Sequence, residues 1–297
     1  MLLNTRIPLW YIVNKVKRDI LYVLLIAVVV YWLTHYFEDA LPEMPLTIPA
    51  FIGTAISILL SFKLNQSYDR WWEARKVWGS IVNDSRSFVL QLQSLVSTSS
   101  KEAITKMAHR QIAWCYALGQ SLRSKDPMQT ISPFLSPDEL NTISKHTNKP
   151  LALLQLHSSD LAGFRSKDEV GEIAHVQLDN TLVRLCDAMG RAERIKSTVF
   201  PVTYRHFLHF IIYLFVITLS ISLTDIEIYF ELPLLLVISA AFFLLEKSAT
   251  HMQDPFNNKP TDTAMTAIAR TIEINIRQLL RESEIPNPAK PNDFYLM

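Results

Sequence analysis

The sequence predicts an all-α, multi-pass membrane protein with four transmembrane helices that continue into a large cytoplasmic helical region. Three observations predict this fold class. Four stretches contain no Asp, Glu, Lys or Arg, and all 29 Lys and Arg residues lie on one side of them. The rest of the chain has apolar residues at helical spacing, without the alternating runs typical of strands. The four stretches are Ile20–Phe37, Pro45–Phe62, His206–Thr224 and Leu232–Leu245.

The lengths of these stretches support membrane spans. A spanning helix needs about 20 mainly apolar residues. The first three stretches have 18 or 19 uncharged residues, so each is long enough when its flanks are included. The fourth has only 14, a length that is also typical of a buried core helix. Its pairing with the third stretch across a short hairpin favours a span.

The distribution of charge predicts the orientation. The two short segments that join the stretches in pairs carry acidic residues and no basic ones, and these acidic residues are Glu38, Asp39, Glu43, Asp225, Glu227 and Glu231. Cytoplasmic loops of membrane proteins carry the excess of Lys and Arg. We therefore expect both termini and the long middle segment in the cytoplasm, both acidic hairpins outside, and a location in the cell (inner) membrane.

Five segments follow from this orientation. They are a cytoplasmic N-terminal interfacial segment at 1–19, transmembrane helices 1 and 2 at 20–62, a cytoplasmic helical region at 63–205, transmembrane helices 3 and 4 at 206–245, and a cytoplasmic C-terminal helix and tail at 246–297.

Local patterns predict the helices outside the membrane. The stretch Met107–Leu118 has apolar residues at helical spacing, and so does the longer stretch Ile173–Phe200. Ser136 followed by Pro137 and Glu139 is typical of a helix start with a capping box. A final helix is expected at Thr263–Arg281.

The second span has one stripe at a spacing of four residues, formed by Ala50, Thr54, Ile58, Phe62 and Gln66. Such a stripe either packs in a core or lines a pore, and periodicity alone leaves both open. The sequence has only six glycines and contains neither a phosphate-binding glycine loop nor a zinc motif. We therefore predict no enzyme, no metal site, no cofactor and no nucleic-acid partner.

Three motifs give the chain a resemblance to a known family. Ser67–Arg75 follows the second span and contains Arg-Trp-Trp, Glu193–Thr198 leads into the third span, and Asp254–Asn258 follows the fourth. Together they resemble the bacterial branch of the bestrophin family. The resemblance implies a homopentameric ion channel with one central pore.

The resemblance also implies where the pore narrows. The family's neck is lined by three apolar residues of the second span, one per helical turn, ending eight positions before Arg-Trp-Trp. The matching positions are Thr54, Ile58 and Phe62. The chain departs from the pattern at Thr54, whose hydroxyl suggests a wider and wetter top. A second, cytoplasmic constriction matches Ile173, with Val170 as the competing position.

Animal members of the family carry an acidic calcium clasp after an Asn-Pro-Phe motif. The corresponding stretch here has a lysine, Lys259, and one carboxylate, Asp262. Calcium binds through six to eight oxygens, several of them usually anionic. We therefore expect no gating by a calcium clasp.

The permeant ion has two interpretations. The six acidic residues of the hairpins would attract cations to the outer mouth, whereas analogy with animal relatives implies chloride. We favour small monovalent cations, because the acidic rim is a feature of this sequence. The alternative function is a non-conducting membrane scaffold or sensor with a cytoplasmic partner. In either case the lipid bilayer surrounds the spans.

Overall fold

The computed structural model describes residues 1–2, 7–37, 44–224 and 226–296. These residues form ten α-helices and no strand beyond isolated β-bridges, so the all-α prediction is confirmed. The helices are α1 Leu9–Tyr36, α2 Thr47–Leu95, α3 Lys101–Leu122, α4 Met128–Ile131, α5 Pro137–Ser144, α6 Lys149–Ser166, α7 Glu172–Ser197, α8 Val202–Ser222, α9 Ile228–Gln253 and α10 Met265–Leu279.

The predicted helices outside the spans are present. The stretch Met107–Leu118 lies within α3, the long helix after Ile173 is α7, and the final helix is α10. The capping box forms as expected, because the Ser136 backbone N–H donates to the Glu139 carboxylate and both halves of the box are closed. Pro137 occupies the first turn of α5, where its missing N–H leaves no helical hydrogen bond unmade.

Three of the described helices are long and apolar enough to cross a membrane, namely α2, α8 and α9. The fourth predicted span is part of a 26-residue helix, which is long enough to cross a membrane, as the span prediction requires. The first predicted span forms the C-terminal part of α1, which packs against α8 and α9. Its role as a span remains a prediction from its uncharged composition.

The chain divides into two compact units. The membrane unit contains Thr5–Arg70 and Val199–Gln253, and the extramembrane unit contains Met1–Asn4, Trp71–Thr198 and Asp254–Met297. The spans thus continue about two helical turns past the uncharged stretches before the unit ends, at 3.6 residues per turn. Those added turns carry charged residues, which are described with the functional site.

Small residues allow close helix packing inside the membrane unit. A Cβ atom on Gly53 of α2 would lie 3.2 Å from Cε2 of Phe215 on α8. Small residues let helices approach closely in membranes, where apolar side chains gain little from leaving lipid. Gly53 therefore fixes the distance between α2 and α8.

The extramembrane unit has a core centred on α3, which packs against α6 and α10. Trp78 and Trp114 are fully buried in this core. Arg110 is also buried in this unit, where it bonds the buried carboxylate of Glu139 and the partly exposed carboxylate of Asp160. Burial raises the pKa of Glu139, but the hydrogen bond from the Ser136 backbone and the charge of Arg110 outweigh it and lower the pKa below the usual value.

His157 makes the stability of this unit depend on pH. Its ring is fully buried and lies in an edge-on contact with Phe88, with 4.9 Å between the ring centroids. Burial, aided by the positive charge of Arg110, holds the pKa of His157 well below 6.5. Below about pH 6.5, His157 binds a proton in the unfolded chain but not in the folded unit, so stability falls as the pH decreases.

We predict that His157→Leu weakens the acid dependence of unfolding. In wild type, this residue contributes a loss of up to about 1.4 kcal/mol per pH unit below its unfolded pKa. Melting temperatures in detergent between about pH 7.5 and pH 5.5 measure the effect. The exposed His146→Leu serves as control and keeps the wild-type slope. Equal slopes for wild type and His157→Leu would contradict the prediction.

Candidate functional site

Helix α2 has one buried seam inside the membrane unit. The side chains of Ile56, Leu60, Lys63 and Ser67 are all buried, and their spacing of four, three and four residues places them along one side of the helix. The seam begins with aliphatic residues and ends with a charged and a hydroxyl side chain. The Ser67 hydroxyl is satisfied within the helix, where it donates to the Lys63 carbonyl at 2.6 Å.

The three predicted neck residues lie on the other side of α2. Thr54 is exposed, and the side chains of Ile58 and Phe62 are 54% and 61% exposed in the single chain. With 3.6 residues per turn, the face they share is roughly opposite the buried seam. The structure therefore brings Thr54, Ile58 and Phe62 together on one face of α2, which stays largely exposed among the described residues. We call these three residues the neck face.

Thr54 is less polar on this face than its sequence suggests. Its hydroxyl donates to the Ala50 carbonyl at 2.9 Å, so its hydrogen is used within the helix. The neighbouring Ser57 makes the same type of bond to Gly53 at 2.8 Å. Each side chain still offers an oxygen lone pair to water, because a hydroxyl carries two. The top of the neck face can thus accept hydrogen bonds but has no free donor from Thr54.

An ion pair connects the end of the buried seam to α9. Lys63 Nζ lies 2.7 Å from Oε1 of Glu246, and each residue is 1% exposed. Lys63 also donates to the hydroxyl of Thr250 at 2.9 Å, and that hydroxyl donates to Glu246 at 2.8 Å. On α8, His209 Nε2 lies 3.2 Å from Oε2 of Glu246.

A second ion pair lies beside the first. Lys247, the neighbour of Glu246 on α9, places its Nζ 3.3 Å from Oδ2 of Asp19 on α1. Asp19, Lys63, His209, Glu246 and Lys247 therefore form one ion-pair layer that joins all four helices of the membrane unit. Sequence reasoning missed this layer. The available signal was that Lys63 and Glu246 directly follow two uncharged stretches and have opposite charge.

An apolar cavity of about 650 Å³ lies next to Phe62 in the membrane unit. Leu59, Phe62 and Gln66 of α2 form one wall, and residues at the start of α8 form the other. The two helices are tied there by the Tyr204 hydroxyl, which donates to the Leu59 carbonyl at 3.0 Å. The side chain of Phe62 therefore has open space on one side.

Two of the six predicted rim residues lie within the described part of the chain. Glu231 is in the first turn of α9 and is buried, with its Oε1 accepting a hydrogen bond from Ser220 at 2.9 Å. Its place at the outer mouth stays a prediction. Glu227 is exposed and lines a small cavity with His35 and Thr224. The others, Glu38, Asp39, Glu43 and Asp225, lie outside the described residues.

The structure separates the two positions considered for the second constriction. Ile173, at the start of α7, is 88% exposed. Val170 is 3% exposed and pairs with Val96 in an isolated β-bridge. A core residue cannot line a pore, so Ile173 is the better candidate of the two.

The stretch that corresponds to the calcium clasp is organised around Asp262. This carboxylate is buried and accepts the Lys259 backbone N–H through Oδ2 at 3.0 Å. Burial raises its pKa, and the Lys259 backbone and charge partly offset that shift. Across the described residues, no group of three or more His, Cys, Asp and Glu is arranged to hold a metal ion.

We predict that thiol reagents distinguish Ile173 from Val170. Ile173→Cys reacts rapidly with a water-soluble maleimide, whereas Val170→Cys reacts only after unfolding. Both variants need a Cys186→Ser background, because Cys186 is exposed while Cys115 is buried. Rapid labelling of Val170→Cys in the native protein would reverse the assignment.

The chain is similar to known proteins along most of its length. The family model described as Bacterial/Fungal Bestrophin protein matches residues 9–278. The voltage-dependent anion channel-forming protein YneE of Escherichia coli strain K12 is 27% identical over 293 residues, which are 98% of this chain and 95% of the relative. The voltage-dependent anion channel-forming protein RSc3414 of Ralstonia nicotianae is 29% identical, covering 82% of this chain and 80% of the relative.

A solved structure shows the same fold. The crystal structure of a bacterial bestrophin homologue from Klebsiella pneumoniae superposes with a TM-score of 0.85 at 24% sequence identity, covering 91% of this chain and 100% of that chain. The family match spans nearly the whole sequence, including the second span and its neck face. The chain therefore belongs to the bacterial and fungal bestrophin family.

Proposed function

We propose that the protein is a homopentameric ion channel whose narrowest part is formed by the neck face of α2. The single observation that carries this proposal is the neck face itself. Two large apolar side chains, Ile58 and Phe62, are more than half exposed on the side of α2 opposite the buried seam. One helix cannot enclose a pore, so several copies are needed around a common axis.

The chemistry of the neck face determines how such a neck would act. Rings of Ile58 and Phe62 offer no oxygen to replace an ion's hydration shell, and a narrow apolar constriction resists ions by dewetting. The neck would therefore serve as a gate and size filter. A ring of Thr54 above it, with free oxygen lone pairs, would retain water better than an aliphatic ring.

The orientation follows from charge. Placing both termini and the extramembrane unit in the cytoplasm puts every Lys and Arg on the inner side, as the positive-inside rule expects. The acidic hairpins then form the outer entrance. Ile173 belongs to the extramembrane unit and would form a second apolar constriction on the cytoplasmic part of the pathway.

We favour small monovalent cations as the permeant ions. The hairpins carry acidic and no basic residues, and the exposed Glu227 is a member of this rim within the described part of the chain. Such charge raises the local cation concentration and depletes anions. The relatives named as anion channels point to the opposite selectivity, so selectivity must be decided by measurement.

Calcium has no clasp to occupy in this proposal. Asp262 is the one carboxylate of the stretch 257–262, and its Oδ2 already accepts a backbone hydrogen bond. Calcium prefers several anionic oxygens. The currents are therefore expected to be independent of micromolar calcium.

We predict that shortening the neck residues increases ion flux. Ile58→Ala and Phe62→Ala widen an apolar constriction and lower its dewetting barrier. Flux into liposomes that contain the purified protein measures the change. Val237→Ala is the matched control, because Val237 is an exposed apolar residue on α9 rather than α2. If wild type and both neck variants carry no flux, the protein is a scaffold and the channel proposal fails.

We predict that the reversal potential under a NaCl gradient shifts toward the sodium equilibrium potential. Glu227→Gln should weaken this preference, because it removes an exposed charge from the outer rim. Glu231→Gln should change selectivity less, because Glu231 is buried against Ser220. A wild-type shift toward the chloride equilibrium potential would refute the cation assignment and agree with the names of the relatives.

A further inference from the structure

We propose that the ion pair between Lys63 and Glu246 is a positioning element for the neck: it fixes the rotation and height of α2 so that Phe62 keeps its exposed orientation. This inference rests on the proposed role of Phe62 in the neck. It assigns a function to two residues that lie on no pore-facing surface.

A buried ion pair such as Lys63–Glu246 is unusual in a seam that also contains buried apolar residues. A buried ion pair gives little or no net stability compared with well-packed apolar residues of similar volume. Ile56 and Leu60 of the same seam are such residues. Lys63 and Glu246 directly follow the uncharged stretches, and both are nevertheless buried. The Lys63–Glu246 ion pair must therefore provide something that apolar packing does not.

The ion pair provides a directional restraint on the rotation and sliding of α2. Apolar contacts are non-directional, so an aliphatic seam tolerates rotation or sliding of α2 against its neighbours. Lys63 Nζ has partners on Glu246 and Thr250 at 2.7 and 2.9 Å, and both are on α9. Rotation or sliding of α2 separates these atoms and leaves a buried carboxylate without its cation, which is strongly unfavourable.

The position of Lys63 in the chain transmits this restraint to the neck. Lys63 directly follows Phe62, and adjacent residues of a helix point about 100° apart. While Lys63 is held against α9, Phe62 keeps the direction in which it is 61% exposed. A small rotation of α2, repeated in every copy of a ring, would change the width of the neck from all sides at once.

The remaining residues of the ion-pair layer connect α9 to α1 and α8, and these three helices form the frame against which α2 is positioned. Glu246 also lies next to His209 of α8, at 3.2 Å, and the adjacent Lys247 binds Asp19 of α1 at 3.3 Å. Helix α9 is thus connected to α1 and α8 independently of α2. The Lys63–Glu246 pair is the part of the layer that locates the neck helix against this frame.

The orientation of the neck face can be measured directly through a thiol at its end. The parent for the experiment is Phe62→Cys with Cys186→Ser, since the remaining Cys115 is buried. The labelling rate of Cys at position 62 by a water-soluble maleimide reports how α2 is oriented. Ion flux of the same charge variants carrying native Phe62 reports the width of the neck.

Three sets of changes test the pair. Lys63→Met should change the labelling rate by about tenfold or more, because loss of one buried partner populates rotated states of α2. Exchange of the charges, Lys63→Glu with Glu246→Lys, should restore the parent rate and flux. Lys63→Met with Glu246→Met keeps an apolar seam and should fold, yet it should show altered labelling and flux.

The control is Lys247→Met, which breaks the other ion pair of the layer without touching α2 and should leave labelling at position 62 close to the parent rate. Parent-like labelling and flux in the doubly apolar variant would overturn the positioning role. Failure of the charge exchange to restore the parent behaviour would overturn it as well. Labelling does not need conduction, so a wild type without flux refutes the channel and still leaves the orientation result readable.

Discussion

The ability of the membrane unit to satisfy its polar groups internally governs this structure. In hydrocarbon, an unsatisfied backbone or side-chain group costs several kcal/mol. The spans are therefore helices, some of their hydroxyls return to their own backbone, as in Thr54 and Ser57, and the buried Lys63 and Glu246 pair with each other. An exposed apolar surface of such a unit faces lipid or another copy of the chain, and we assign the neck face to the second case.

The buried side of α2 contributes to stability, and we assign the function to its exposed side. The seam of Ile56, Leu60, Lys63 and Ser67 attaches the helix to its own unit. The opposite side is free, and its apolar character suits a constriction that gates by dewetting rather than one that selects by charge. Selectivity must then arise at the approaches to the pore. At the proposed outer entrance, Glu227 is exposed, whereas Glu231 is buried against Ser220.

Sequence reasoning recovered the helices because their signals are local. Helical spacing, the capping box at Ser136 and the uncharged stretches each depend on neighbouring residues, and all appear in the structure. The neck residues came from resemblance, and their common exposed face agrees with that assignment. The Lys63–Glu246 pair could not be found in this way. Its partners are separated by 183 positions, and no local pattern predicts which charged residue at the end of one span contacts a charged residue at the end of another.

Burial was the other property that the sequence could not supply. Val170 and Ile173 are both aliphatic and three residues apart, and only the path of the chain before α7 places one in the core and the other in solvent. The same is true of Glu231, which sequence grouped with the outer rim. Its contact with Ser220 depends on how α8 and α9 pack at their joined ends.

Disulfide cross-linking between copies tests the central claim most directly. Phe62→Cys in a Cys186→Ser background, oxidised in the membrane, should yield covalent dimers, because the neck faces of several copies surround one axis. Val237→Cys on α9, equally free of its own unit, should stay monomeric. Monomers alone from Phe62→Cys, with the oligomer intact by mass, would contradict a neck formed by α2.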